Sequence, residues 1–182
     1  MLCPQRGGYT SAMNTDDMNT ETGKLFLDYS VRKLTQMTGN VDACLGHLND
    51  EQVWSRNAAH ENTIGNLILH LCGNMRQWIM HGVAGQPDVR TRAAEFSASE
   101  GFTVKQLSEL FRKTVEEAKT VIATLPTERL LDRTDPQKMG EVFVLDAVYQ
   151  VVGHVQQHVG QIILLTKQLA AKDLDLSIPR PR

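Results

Sequence analysis

The chain has 182 residues, of which 41% are hydrophobic and 22% are charged, and its formal net charge at pH 7 is −2. This length fits one domain of about 100–200 residues with enough chain to bury its own core. The basic residues are scattered instead of forming a stripe, which argues against nucleic acid as a partner. No apolar run reaches the ~20 residues of a membrane span, and no secretory signal is visible. We therefore expect no membrane association and a cytoplasmic protein whose three cysteines are reduced.

In chain order, the sequence predicts a polar tail, a helical domain and a second short tail. Residues 1–22 are rich in Gly, Thr and Asn, which is typical of a mobile segment. Residues 23–172 form the domain, and residues 173–182 form the C-terminal tail. Helical periodicity recurs in four blocks within the domain, at about 24–47, 63–81, 103–124 and 141–171. These blocks predict an all-α four-helix bundle with a long connection between helices two and three.

The second block carries one narrow polar stripe on an otherwise apolar helix. At 100° per residue, five polar side chains fall within about 40° of His70. They are Thr63, Asn66, Asn74, Gln77 and His81. Such a stripe can be the solvent face of an amphipathic helix, but solvent faces usually carry Lys, Glu and Arg. Uncharged amides and imidazoles are buried at a lower desolvation cost than ions, so we favour a stripe that faces inward.

The fourth block contains two histidines that are four residues apart. His154 and His158 project from one face of the helix and can converge on a single cation. Taken alone, this spacing is a weak signal for a metal, because it also fits two half-buried rings that neighbours such as Gln150 and Gln161 satisfy by hydrogen bonds.

Together the two blocks supply three imidazoles. We predict that His70, His154 and His158 bind one divalent metal ion and leave a fourth position for water or substrate. Four amides are candidates for orienting these rings or positioning a substrate: Asn66, Asn74, Gln77 and Gln161. No carboxylate is apparent beside the three histidines, so no general base on the protein is expected.

The connection between helices two and three contains two further candidates. Arg90 and Arg92 could hold an anionic substrate over the open end of the bundle, because a guanidinium matches the geometry of a carboxylate. Alternatively, they are surface charges or part of an ion pair that pins the loop.

Two strings, "NTIGNLILHL" and "HVQQHVGQI", are where the chain resembles the DinB-like (YfiT-like) metal-binding four-helix bundles. The resemblance covers roughly residues 24–171 and is strongest to a bacterial subfamily of unassigned function. It implies one divalent metal ion, commonly zinc or nickel, on His70, His154 and His158, and it also implies a homodimer. Characterised relatives include transferases and isomerases that use low-molecular-weight thiols such as bacillithiol or mycothiol.

Three functions remain open from the sequence. The first is a metal-dependent enzyme, for which the resemblance suggests a thiol-dependent transferase or isomerase acting on a small electrophile. The second is a metal- or ligand-binding bundle without catalysis, such as a stress-related protein. The third is a purely structural bundle whose histidines have no ligand role.

Overall fold

The structure, a computed structural model, describes residues 15–176. Its helices are α1 (Thr15–Leu45), α2 (Ile64–Met75), α3 (Arg92–Ser97), α4 (Val104–Ala123) and α5 (Val144–Ala170). A π-helix, Arg76–Val83, continues α2 without a break, and 3-10 turns occur at Gln52–Trp54 and Thr127–Leu131. Two very short strands, β1 (Arg133–Thr134) and β2 (Val142–Phe143), pair in antiparallel register before α5.

The four long helices form the predicted all-α bundle. Helix α1 packs against α4 and α5, and α2 packs against the same two helices from the opposite side. The core between them is apolar and is filled mainly by Leu, Ile, Val and Met side chains. Helices α2 and α5, which carry the predicted metal ligands, are therefore neighbours in the bundle. Among the described residues, no helix is both long enough and apolar enough to cross a membrane.

Local capping explains where the helices next to the site begin. Thr63 caps α2 by accepting from the Asn66 backbone N–H, while the Asn66 side chain accepts from the Thr63 N–H. Thr103 and Gln106 repeat this arrangement at the start of α4. At α5, the Asp146 carboxylate accepts from the Phe143 N–H. These caps start the helices within three residues of the positions that the periodicity predicted.

Helix α1 begins earlier than its predicted block, at Thr15 instead of near residue 24. Asp16 and Asp17 lie in its first turn, where negative charge is favourable because of the helix dipole. Gly23 then packs against Thr127 and Leu130. The predicted tails lie partly outside the described residues, at 1–14 and 177–182, and the domain boundaries remain a prediction.

The end of the second block also differs from the expectation. We expected an α-helix that ends at Gly82, but the turn widens to a π-helix from Arg76 and continues to Val83. Wide turns of this kind are rare and often occur at functional sites. Here the π-helix contains Gln77, whose side-chain oxygen accepts from the Arg90 guanidinium.

The described cysteines lie in the core, as expected for small structural residues. Cys44 and Cys72 are both buried and unpaired. Burial raises the pKa of the Cys72 thiol to about 12, although Thr114 and Arg76 act in the opposite direction. Because only the thiolate is nucleophilic, neither buried cysteine is suited to attack a substrate at neutral pH.

Candidate metal centre

The structure brings the rings of His70, His154 and His158 together between α2 and α5. One ligand nitrogen from each ring lies within 4.8 Å of the others. His70 Nε2 and His154 Nε2 are 2.9 Å apart, and the ring centroids of His154 and His158 are 4.5 Å apart. His70 is buried, whereas the two rings of α5 are partly exposed. A cluster of this size can hold one metal ion.

A buried carboxylate, Glu95 on α3, lies directly behind His70. Glu95 Oε2 is 2.9 Å from His70 Nδ1, and both side chains are only 8% exposed. Burial raises the pKa of the Glu95 carboxyl, but hydrogen bonds from Arg90 and His70 outweigh this effect and lower that pKa below its ordinary value. Arg90 Nη2 also lies 3.1 Å from His70 Nδ1, but the contact with the carboxylate is shorter. Because the ionised carboxylate can only accept, His70 Nδ1 carries the proton. Nε2 of His70 therefore has a free lone pair directed at the cluster.

Arg90 holds the Glu95 carboxylate in place through two parallel hydrogen bonds. Its Nε and Nη2 donate to the two carboxylate oxygens at 2.8 and 2.9 Å, and its side chain is 3% exposed. Its Nη1 donates to Gln77 Oε1 at 3.0 Å. The guanidinium is thus fully engaged within the protein. Of the two roles considered for Arg90, the contacts correspond to the ion pair that pins the loop, here in a buried setting.

Gly73 is what allows the Arg90–Glu95 pair to approach α2. A Cβ at this position would lie 1.9 Å from Glu95 Oε1 and 3.2 Å from Arg90 Nε. Only a residue without a side chain leaves room for the carboxylate, because real Cβ atoms do not approach neighbours this closely.

The two histidines of α5 are held in their neutral forms by their surroundings. Burial lowers the pKa of His154 to about 4, with a contribution from the repulsion that its protonated ring would meet from His158, His70 and Arg90. Burial also lowers the pKa of His158, against a hydrogen bond to Gln161 that raises it. Gln161 Oε1 lies 2.6 Å from His158 Nδ1 and accepts a hydrogen bond from it, which leaves the lone pair of His158 Nε2 free to bind a metal ion. Neutral imidazoles are the form in which histidine binds metals.

The low pKa of His154 makes a prediction for the stability of the metal-free protein. In the unfolded chain this ring titrates near pH 6.5, and in the folded protein near pH 4. Between these values the unfolded chain binds more protons, so the free energy of unfolding falls as the pH is lowered. Because the ring is partly exposed, we expect a loss on the order of 1 kcal/mol between pH 7 and pH 5.

Urea unfolding of chelator-treated protein at the two pH values measures this loss. The matched control is His154→Gln, which cannot titrate and should lose less stability over the same range. An equal loss in both proteins would contradict the assignment of the low pKa to His154.

Three other predicted site residues, Asn66, Gln77 and Arg92, contact the segments around the site and not the rings of His154 and His158. Asn66 Nδ2 donates to the backbone oxygens of Glu95 and Ala98 at 2.9 and 2.7 Å, and so ties α3 to the start of α2. Gln77 bridges Arg90 and Asp88.

Arg92 is exposed, and its guanidinium lies 5.1 Å from the centre of the Phe96 ring. Phe96 in turn packs on His70, with ring centroids 4.8 Å apart.

Asn74 lies one turn after His70 and is 6% exposed. Its Oδ1 is buried without a hydrogen-bond partner, and among residues 15–176 this is true of only one other side-chain atom, Trp78 Nε1. Buried polar atoms in native proteins nearly always have partners. The Asn74 amide is thus available to a water molecule or to a ligand group.

The sequence reasoning did not identify Glu95, and the expectation of no carboxylate beside the histidines was wrong. Glu95 belongs to a six-residue helix inside the connection between α2 and α4, where no periodic pattern points toward the core. The usable signal was Gly73, a glycine inside a helix next to the polar stripe, since such a residue often marks close packing of another segment.

Comparison with solved structures supports the fold. A DinB-like protein from Bacillus cereus ATCC 10987 superposes with a TM-score of 0.63 at 16% identity, covering 77% of this chain and 90% of that one. A DinB-like protein from Bacillus subtilis gives a TM-score of 0.60 at 13% identity, covering 78% of this chain and 91% of that one. A conserved protein from Enterococcus faecalis gives 0.57 at 15% identity, covering 88% of this chain and all of that one. The fold is therefore DinB-like, as the sequence resemblance indicated.

Sequence comparisons identify the family. No curated protein gives a significant match to the chain. A family model described as "Protein of unknown function (DUF1572)" matches residues 21–182, which is most of the chain. The protein is therefore a member of the DUF1572 family, with a DinB-like fold and a function that the family does not assign.

Proposed function

We propose that this protein is a divalent-metal-dependent enzyme whose ion is bound by His70, His154 and His158. The observation that carries the proposal is the convergence of three imidazoles from two helices, backed by a buried carboxylate that fixes the tautomer of one of them. Imidazole nitrogens suit zinc and nickel, which are the ions we propose. A site with three protein ligands keeps a position for substrate, as catalytic sites do.

The donor set fits such an ion on two grounds. The pKa values of His154 and His158 are lowered, and Glu95 and Gln161 each accept a hydrogen bond from Nδ1 of a ring, so these rings bind an ion with little loss of protons at neutral pH. The carboxylate–histidine pair of Glu95 and His70 is the arrangement that commonly orients metal-binding histidines.

The residues of this chain divide the remaining work. Glu95 keeps the proton of His70 on Nδ1, and Gln161 does the same for His158. Phe96 covers one face of the His70 ring and restricts the access of water to it. The unpaired Asn74 oxygen accepts a hydrogen bond from the substrate. A bound divalent ion lowers the pKa of a thiol or water and polarises an electrophile.

A thiol-dependent transferase or isomerase that acts on a small electrophile is the reaction we propose. Glu95 has both oxygens occupied by Arg90 and His70, so it is not available as a general base for hydrolysis. Within residues 15–176 the cysteines, Cys44 and Cys72, are buried and unsuited to act as nucleophiles, which supports a thiol supplied by a small molecule. In a transfer reaction the thiol gives its proton to solvent and its sulfur bonds to the electrophilic carbon. The leaving group then departs with the bonding electron pair.

A turnover assay tests this proposal. Protein loaded with zinc or with nickel is incubated with bacillithiol, mycothiol, glutathione or cysteine and with an epoxide or an activated aryl chloride. We expect thiol consumption that exceeds the uncatalysed rate, stops after chelation and is absent in His158→Ala. The matched control is His60→Ala, which changes an exposed histidine outside the site and should keep the wild-type rate.

Stoichiometric metal binding without turnover of any thiol would instead favour the second candidate, a metal-binding bundle without catalysis. The observation that favours this candidate is that both oxygens of Glu95 are occupied by structural contacts.

We further propose a cytoplasmic homodimer that takes a low-molecular-weight thiol as its partner molecule. Sedimentation velocity measures the oligomeric state.

A further inference from the structure

A cavity outside the histidine cluster is lined by Arg90 and Glu95 but by none of the three histidines. It has a volume of about 280 Å³ and opens between α2, α3 and α4. Most of its wall is apolar, and the side chains that matter most here are Leu69, Val89, Ala98, Phe102 and Leu110. Ligand pockets have volumes of about 300–1,000 Å³, so this cavity is at the lower end, where only a small ligand fits.

The cavity carries one uncompensated positive charge. Arg76, Arg90 and Glu95 all line it, but Arg90 and Glu95 neutralise each other as an ion pair. Arg76 makes no ion pair within residues 15–176. Its Nη2 only donates to Thr114 Oγ1, at a long 3.3 Å. The Arg76 guanidinium is therefore available to an anion in a largely apolar space.

The rim of the cavity is apolar as well. Val89 is 73% exposed and Phe102 is 38% exposed. Covering apolar side chains that are exposed to water beside a cavity is favourable, so a ligand with an apolar part binds more tightly there. The expected ligand thus combines a single negative charge with a short apolar chain.

We propose that this cavity binds a small amphipathic monocarboxylate, with its headgroup on Arg76 and its chain against the apolar wall. A guanidinium and a carboxylate form a matched, charge-assisted pair. A dianionic phosphate would bring two charges to one cation, and a neutral alcohol would leave Arg76 unpaired. The proposal is independent of the metal site, because none of the three histidines lines the cavity.

Titration of metal-free, full-length protein with hexanoate tests the site, followed by ¹H–¹⁵N correlation spectra. We expect saturable shifts at residues of the cavity, with acetate, hexan-1-ol and hexylamine each binding at least about tenfold more weakly. Arg76→Gln should weaken hexanoate binding about tenfold, whereas Arg32→Gln, an exposed arginine on α1, should leave it unchanged.

Val89 offers a second pair of variants that does not disturb the core. Because this side chain is largely exposed, Val89→Glu should fold normally and weaken hexanoate binding by repulsion, while Val89→Lys should not weaken it. His158→Ala should bind hexanoate like the wild type. The absence of saturable binding, equal binding of hexan-1-ol, an unchanged affinity in Arg76→Gln or Val89→Glu, or a loss of binding in His158→Ala would each overturn the proposal.

Discussion

Replacement of any one of the three clustered histidines by alanine is expected to abolish stoichiometric retention of zinc or nickel. Two imidazoles make a weak site, so His70→Ala, His154→Ala and His158→Ala should each retain less than about a tenth of the ion that the wild type retains after dialysis. Metal analysis of protein purified without a histidine tag measures this directly. His60→Ala controls for the loss of a histidine as such and should retain the full amount.

Glu95→Gln separates the ligands from the group that orients them. The glutamine keeps the size of the side chain but removes the charge that holds the proton on His70 Nδ1. We expect the ion to be retained with an affinity about 10–100-fold lower.

Retention of the ion at wild-type affinity in all three histidine variants, each shown to be folded by circular dichroism, would exclude this metal centre.

Gly73→Ala is expected to destabilise the protein, although alanine is the better helix former. Alanine in a helix is favoured over glycine by about 1 kcal/mol. At this position, however, the new methyl group would lie 1.9 Å from Glu95 Oε1 and would displace the Arg90–Glu95 pair. Disrupting a buried, hydrogen-bonded ion pair costs more than the helix gains, so we expect a net loss of about 2–3 kcal/mol in the free energy of unfolding.

Gly39→Ala is the matched control for this substitution. Gly39 lies inside α1 and has nothing within 4 Å of its expected Cβ. This variant should gain about 0.5–1 kcal/mol in stability. Urea unfolding of both variants provides the comparison. A gain in stability in Gly73→Ala similar to that in Gly39→Ala would show that the Arg90–Glu95 ion pair does not require the absence of a side chain at position 73.

The helices and their inward faces could be predicted from the sequence because the responsible signals are local. Apolar periodicity marks α2, α4 and α5, and the uncharged stripe around His70 indicated that a polar side of α2 faces the interior. The spacing of His154 and His158 placed two imidazoles on one face. A bundle of four helices then left few ways to arrange α2 and α5, and the observed arrangement makes them neighbours.

The remaining parts of the site depend on contacts that no local pattern encodes. Glu95 is 25 residues from His70, and it reaches the ring only because Asn66 and Arg90 fix the path of the connection. The π-helix at Arg76–Val83 has an α-helical composition, so its wider turn could not be read from residue types. In both cases tertiary contacts select among conformations that the local sequence allows.

The separation of His70 and His154 along the chain, 84 residues, has a consequence for unfolding. An ion held by both would act as a reversible crosslink that closes a loop containing α3, α4 and both strands. A covalent crosslink over such a loop restricts the denatured ensemble by about 4–5 kcal/mol. Occupancy of the site would therefore govern how readily proteases reach the connection between α2 and α4, and resistance to proteolysis would follow the supply of the ion.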